Sequence, residues 1–261
     1  MADLAPGTAI PDRIPVGEPQ PPPDGTSAPD DTKVMSLVGH LSELRTRLFR
    51  AILAVAVGSV IGFVLSDRII AVLIAPLPTG KVQVLGPGDA FFITLKVSIV
   101  TGIILAMPVI LWQTWAFVAP GLTRRERRMV WPYVLASLLL FVLGVGIAYV
   151  VLPFANAFLL SFTNDTLVAN IAAGPYFDFV TTLFLAFGLV MEFPMLLFGL
   201  SRVGIVTSRR LRDARRMVIL GVAIFAAAVT PGGDLVSPFV LGLTMYLLYE
   251  ATIIVITRTG R

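Results

Sequence analysis

From Met129 to Asn164 the chain carries no ionised side chain. That run exceeds the roughly 20 apolar residues a helix needs to cross a bilayer once. The rest of the chain has the same character: of 261 residues, 56% are apolar and only 14% charged, with a mean hydropathy of +0.88. A soluble domain carries about 25% charged residues, so polar atoms are too few to clothe a water-facing surface. A soluble enzyme, a secreted disulfide scaffold and a nucleic-acid-binding domain are excluded, and an integral membrane protein remains. Cysteine is absent, which removes disulfides, thiolate nucleophiles and Cys-based metal sites. The single histidine, His40, removes any two- or three-histidine metal centre, so no cofactor or metal is expected.

Residues 1–33 differ from everything after them. They hold eight of the nineteen prolines and six of the sixteen acids, a composition that buries too little apolar surface to offset chain entropy. A disordered Pro-rich cytoplasmic extension is expected there, and it lacks the apolar core of a signal peptide. Order begins near Met35. Through Arg50 the residues Leu37, Leu41, Leu44 and Leu48 fall on one helical face, with Glu43, Arg45 and Arg47 off it and Ser36 placed to cap. This reads as an amphipathic helix on the cytoplasmic surface that feeds the first span.

Six apolar runs without Lys or Arg follow as expected spans: Ala51–Ser66, Val97–Val118, Met129–Leu152, Phe179–Ser201, Met217–Val229 and Pro238–Thr257. The long connections Asp67–Lys96 and Pro153–Asp178 are rich in Gly and Pro, and short interfacial helices are expected within them. No internal repeat is visible. Seventeen of the twenty cations fall on one side: Arg13 to Arg50, the Arg124–Arg128 cluster, Arg202 to Arg216, and the C-terminal arginines. Only Arg68, Lys81 and Lys96 fall on the other. The positive-inside rule then puts both termini in the cytoplasm. The expected fold is all-α: six transmembrane helices, N-in and C-in, preceded by the amphipathic helix, over residues 34–261. The fifth span is short. Either it recruits Arg215 and Arg216, which can snorkel, or this corner presents a thinned bilayer.

The sequence has no phosphate-binding GxxxxGK[ST] loop, GxSxG elbow or HExxH pair. Acids are therefore the candidates. Glu192 lies deep in the fourth span just before Pro194, where a carboxyl costs a few kcal/mol unless it faces a partner, a cavity or the protein interior. It is either a functional polar site or a neutral acid bonded to a carbonyl freed by Pro194. Glu250, nearer the cytoplasmic end of the last span, reads as a snorkelling residue. Glu43 in ELRTR and Glu126 in RRERR sit among arginines, and spacing alone leaves them as ordinary solvated charge pairs.

Several separated motifs give these residues a context: HLSELRTRL at His40–Leu48, APL at Ala75–Leu77, FF…LK at Phe91–Lys96, PVILWQTWAFVAPGL…ERR over Pro108–Arg128, FGLVMEFP at Phe187–Pro194, and TPGGD at Thr230–Asp234. In that order they resemble TatC, the polytopic subunit of the twin-arginine protein translocase, from about Ser36 to Thr257. The resemblance implies a non-enzymatic receptor for twin-arginine signal peptides. It further implies a scaffold that exports folded proteins across the plasma (cell inner) membrane of a prokaryote, driven by the proton gradient. It implies TatA- and TatB-like single-span partners and a homo-oligomer within a larger complex, with no nucleic acid. Carried over by position, Glu43, Arg45, Phe117, Pro120 and Glu126 match the signal-peptide site. Glu192 matches an intramembrane acid that contacts partners, and Pro76, Asp89 and Asp234 match structural or functional positions on the outer side. Asp89 stands where many relatives have Glu, and Pro238 where some have Gln. The alternative is a proton-coupled small-solute transporter using Glu192, which needs further midplane polar groups and usually a repeat. An intramembrane enzyme needs a second catalytic group that the sequence does not offer.

Overall fold

A computed structural model describes residues 37–78, 80–119, 130–164, 166, 169–230 and 233–258. The expected extension 1–33, the Ser36 cap, the side chains of Leu37 and His40, Pro120, and Glu126 with its flanking arginines lie outside the described residues. The chain divides into compact units Met1–His40 and Leu41–Arg261, and the contacts below belong to the second. The described helices are α1 (Leu37–Val64), α2 (Ser66–Ile74), α3 (Asp89–Val118), α4 (Val130–Leu160), α5 (Ala173–Val190), α6 (Phe193–Arg202), α7 (Ser208–Asp213), α8 (Arg215–Val229) and α9 (Val236–Arg258).

Among the described residues five stretches are long and apolar enough to cross a membrane: Leu41–Val64, α3, α4, α5 with α6 (Ala173–Arg202), and α9. The expected fifth span is α8. It does recruit Arg215 and Arg216, yet it has only 15 residues, about 22 Å of rise against a hydrocarbon layer of about 30 Å. The N-terminal amphipathic turns are not a separate element, because α1 runs unbroken from Leu37 to Val64.

Three boundaries need correction: α3 already begins at Asp89, within the connection expected to run to Lys96. Pro153 was expected in a connection, but α4 passes through it to Leu160, and α5 already begins at Ala173. Proline removes a single backbone donor, and a helix surrounded by protein and lipid continues past it. The first connection does contain its short helix, α2.

Helix α5 is the centre of the bundle and packs on α3, α4 and α9. Its Phe177, Val180, Leu183 and Phe187 meet Ala148, Leu152 and Ala155 of α4 and Leu241 of α9. Half of the α5–α6 span is buried, against 11% of the α1 span. Lipid tails are as apolar as leucine, so helices in a bilayer associate through close packing of small residues. Helix α1 does this with Gly58 and Gly62, one turn apart on one face. A Cβ on Gly58 would stand 2.6 Å from the Gly102 carbonyl oxygen of α3, and one on Gly62 2.6 Å from that of Ser98.

At the cation-poor end the connections are tied together. Gln83 and Ala172 form an isolated parallel bridge, with Gln83 N–H donating to the Ile171 carbonyl at 2.8 Å and Ala173 N–H to that of Gln83 at 2.7 Å. The Tyr176 hydroxyl donates to the Leu73 carbonyl at 2.7 Å, and Lys96 pairs with Asp178. At the cation-rich end Arg215 pairs with Glu250 at 2.7 Å, joined by the Tyr246 hydroxyl at 3.3 Å. Glu250 thus anchors α8 to α9 rather than simply snorkelling.

Replacing Gly102 with Ala should lower the thermal midpoint in detergent by several degrees, since the added methyl meets the Ser59 backbone and overpacking costs about 1–3 kcal/mol. Gly146→Ala in α4, where a Cβ meets nothing within 4 Å, should be neutral or stabilising by about 0.5–1 kcal/mol. Equal midpoints for the two variants would contradict the close α1–α3 contact.

Candidate functional site

Glu43 and Arg47 lie one turn apart on α1. Arg47 Nε donates to Glu43 Oε1 at 2.9 Å, and its Nη2 donates to the same oxygen. Arg47 Nη1 donates to Gln113 Oε1 on α3 at 3.3 Å, so one guanidinium ties two spans. Both members of the ion pair are only 20% exposed. Glu43 Oε2, by contrast, is buried and has no hydrogen-bond partner. Phe117 follows Gln113 by four residues and shares its side of α3. Arg45 is exposed, rotated by about 200° from Glu43 around the helix. The structure therefore gathers Glu43, Arg47 and Gln113 and sets Phe117 one turn from them. Pro120 and Glu126, the expected second half, lie outside the described residues.

Glu192 occupies the break between α5 and α6. Pro194 has no N–H and fits the first turn of a new helix. The chain tightens ahead of it: Glu192 N–H donates to the Leu189 carbonyl at 3.0 Å, three residues back, and the Glu192 carbonyl then accepts from Leu196 N–H at 2.9 Å. The side chain does not return to a carbonyl released by Pro194. It faces the Ser137 hydroxyl of α4, and its Oε1 is buried without a partner. Ser137 is fully buried and accepts from Trp115 Nε1 of α3 at 3.1 Å. Trp115 continues into an aromatic stack with Tyr133 and Phe198, centroids 5.1 and 5.3 Å apart, capped by the Arg202 guanidinium 4.7 Å above Phe198. On its other side Glu192 lines an apolar cavity of about 800 Å³ with Leu189, Phe193, Met217, Gly221 and Phe225. That cavity lies between the broken span and the short helix α8.

The three outer-side candidates have local tasks. Asp89 Oδ2 accepts from the N–H groups of Gly86 at 2.8 Å and Leu85 at 3.2 Å, folding the connection onto the start of α3. Asp234 is 3% exposed, and its Oδ1 accepts from Ser237 N–H at 2.6 Å, which caps the approach to α9. Pro76 is half-buried in the turn that ends α2. Ser137, Trp115 and Gln113 were not singled out from the sequence. The Glu43–Arg47 spacing of four was a usable signal, whereas Gln113 lies 66 residues from its partner.

Long apolar helices around a span broken at a carboxyl group, with a tethered acid near the cation-rich end, define a polytopic helical membrane protein with polar sites at two depths. The family model described as "Sec-independent protein translocase protein (TatC)" matches residues 39–243. The chain belongs to the TatC family, the membrane-embedded subunit of the Sec-independent protein translocase. It is 39% identical over 221 residues to the TatC of Desulforapulum autotrophicum, covering 82% of each chain. It is 42% identical over 207 residues to that of Synechocystis, covering 79% of this chain and 81% of that one. The chloroplastic TATC of Arabidopsis thaliana is 39% identical over 236 residues, covering 89% of this chain and 69% of the relative. A crystal structure described as the twin arginine translocase receptor TatC superimposes with a TM-score of 0.75 at 35% identity, over 85% of this chain and all of that one. These matches are to a protein translocase and leave the solute-transporter alternative without support.

Asp234→Ala should destabilise the protein by about 1 kcal/mol through loss of the cap, while Asp234→Asn, which keeps an acceptor, should cost a few tenths. Thermal midpoints of the two purified variants check this, and equal losses would assign Asp234 a role other than capping.

Proposed function

We propose that the chain is the receptor for twin-arginine signal peptides and the core scaffold of a translocase that exports folded proteins with the energy of the proton gradient. The observation that carries this reading is the Glu43 carboxylate near the cation-rich end, held through one oxygen while the other has no donor. A guanidinium offers a planar fork of donors that a carboxylate accepts in parallel bonds, and an ammonium offers a point charge. Glu43 and Glu126, on separate segments, grip two adjacent arginines, with Arg45, Phe117 and Pro120 shaping the site. The asymmetry of the cations supports a cytoplasmic location for this end and for both termini, with α8 as the fifth of six spans.

Glu192 serves the partners. A groove that is apolar apart from the Glu192 carboxyl and the Thr182 hydroxyl suits a single transmembrane helix with a polar side chain near its middle, the chemistry expected of TatA- and TatB-like proteins. The short α8 along one wall supports this, because such a helix docks where the apolar layer is thinnest. Assembly of several copies with these partners completes the machine, and the chain itself carries out no chemical step.

Photo-crosslinkers at positions 43, 117 and 126 should capture a precursor with twin arginines and largely miss a twin-lysine control. Equal capture of both would remove the receptor reading. Glu192→Ala should abolish export while leaving membrane insertion and precursor capture intact, and Glu192→Gln should retain part of the export. Normal export by the Ala variant would make Glu192 a structural residue only.

A further inference from the structure

The guanidinium of Arg47 already makes with Glu43 the kind of contact that an incoming arginine would make. Two of its nitrogens, Nε and Nη2, donate to Oε1, and the third, Nη1, is held by Gln113 of the neighbouring span. An exposed ion pair one turn apart on a helix holds weakly. This pair is mostly buried and anchored at a second point across the bundle.

We propose that Arg47 sets the affinity threshold of the signal-peptide site by acting as an internal guanidinium that occupies Glu43 until a ligand guanidinium displaces it. The proposal rests on the receptor reading of Glu43 given above. A partly buried carboxylate stripped of its cation is costly, so Glu43 releases Arg47 only to a group that restores the same bonds. A second guanidinium does so with the same fork of donors. A lysine ammonium is more strongly hydrated and lacks the fork, so it loses the exchange even though its charge is equal. The cost of displacing Arg47 is the same for every ligand, so it keeps the difference of affinities and lowers both, which leaves the weaker ligand unbound first. Gln113 completes the device. Its neutral carbonyl keeps a hold on Arg47 once Glu43 lets go, so the displaced cation has a place to remain. The orphaned Oε2 of Glu43 fits the same scheme, since it is where an entering donor first finds an unused lone pair.

The test uses the full chain in lipid nanodiscs, titrated with fluorescent synthetic signal peptides carrying twin arginine or twin lysine. The wild type should prefer twin arginine. Arg47→Gln should raise the affinity for both peptides by about the same factor, on the order of tenfold, with the preference for twin arginine kept. Gln113→Leu, which removes the place where the released Arg47 stays, should weaken the binding of both peptides, and it carries the test if Arg47→Gln does not fold. Affinities unchanged in both variants, or binding of both peptides lost in Arg47→Gln with a normal thermal midpoint, would overturn the competitor role; the second outcome would make Arg47 an orienting residue for Glu43. A wild type that binds both peptides equally would overturn the receptor reading and this inference with it.

Discussion

An apolar layer has no water to accept stray amide hydrogens, so each backbone donor and acceptor within it needs a partner from the protein. Most of this chain meets the requirement with long helices. The one place among the described residues where a span breaks, between Val190 and Phe193, meets it by other means. The turn tightens, so that Met191 and Glu192 donate back to Phe187 and Leu189 and the Glu192 carbonyl starts the next helix. The break is also covered by protein. Gly144 of α4 has no side chain to hold the helices apart, and a Cβ there would collide with the Phe187 carbonyl and Met191. A glycine on one helix thus makes room for an irregularity on another, and the irregularity turns a carboxyl group toward Ser137.

The two candidate acids are held by opposite chemistry. Glu43 has a cation beside it and an amide behind the cation, so its surroundings favour a charge and exchange of one donor for another. Among the described residues Glu192 takes part in no ion pair and faces a hydroxyl on one side and apolar side chains on the other. A group in such a place is satisfied most cheaply by a ligand that brings its own hydrogen bond into the apolar groove. The first arrangement suits a charged, water-borne peptide and the second a helix that arrives through lipid.

Much of this was legible in the residues themselves. Apolar runs free of Lys and Arg located the five long spans, and Glu192 stood out beside Pro194 because an acid and a proline are both costly inside an apolar helix, although the fourth span was read as unbroken. The end of α4 was misplaced because Pro153 reads as a terminator by the rules of water-exposed helices. The partners of the acids were not legible. Ser137 lies in an uninterrupted apolar run with nothing to distinguish it, and Gln113 meets Arg47 only because the small residues Gly58, Gly62 and Gly102 draw α1 against α3. That Oε1 rather than Oε2 of Glu43 is occupied is a matter of rotamers, which sequence does not encode at this level.

One turn of α3 stands between the two sites. Gln113 holds Arg47, and therefore bears on Glu43, while Trp115 donates to Ser137, which faces Glu192. The two residues are separated by about 3 Å of helical rise and about 200° of rotation, so they look outward from opposite sides of a single rigid segment. A helical turn with intact backbone bonds moves as one body, and close-packed interiors pass on displacements instead of absorbing them. If an entering peptide shifts Gln113 as it takes Glu43 from Arg47, the Trp115 indole shifts with it, and the hydroxyl that faces Glu192 loses or changes its donor. The spacing of Gln113 and Trp115 thus places the supports of both acids on one turn of α3, which under the receptor reading proposed above is where the two sites meet.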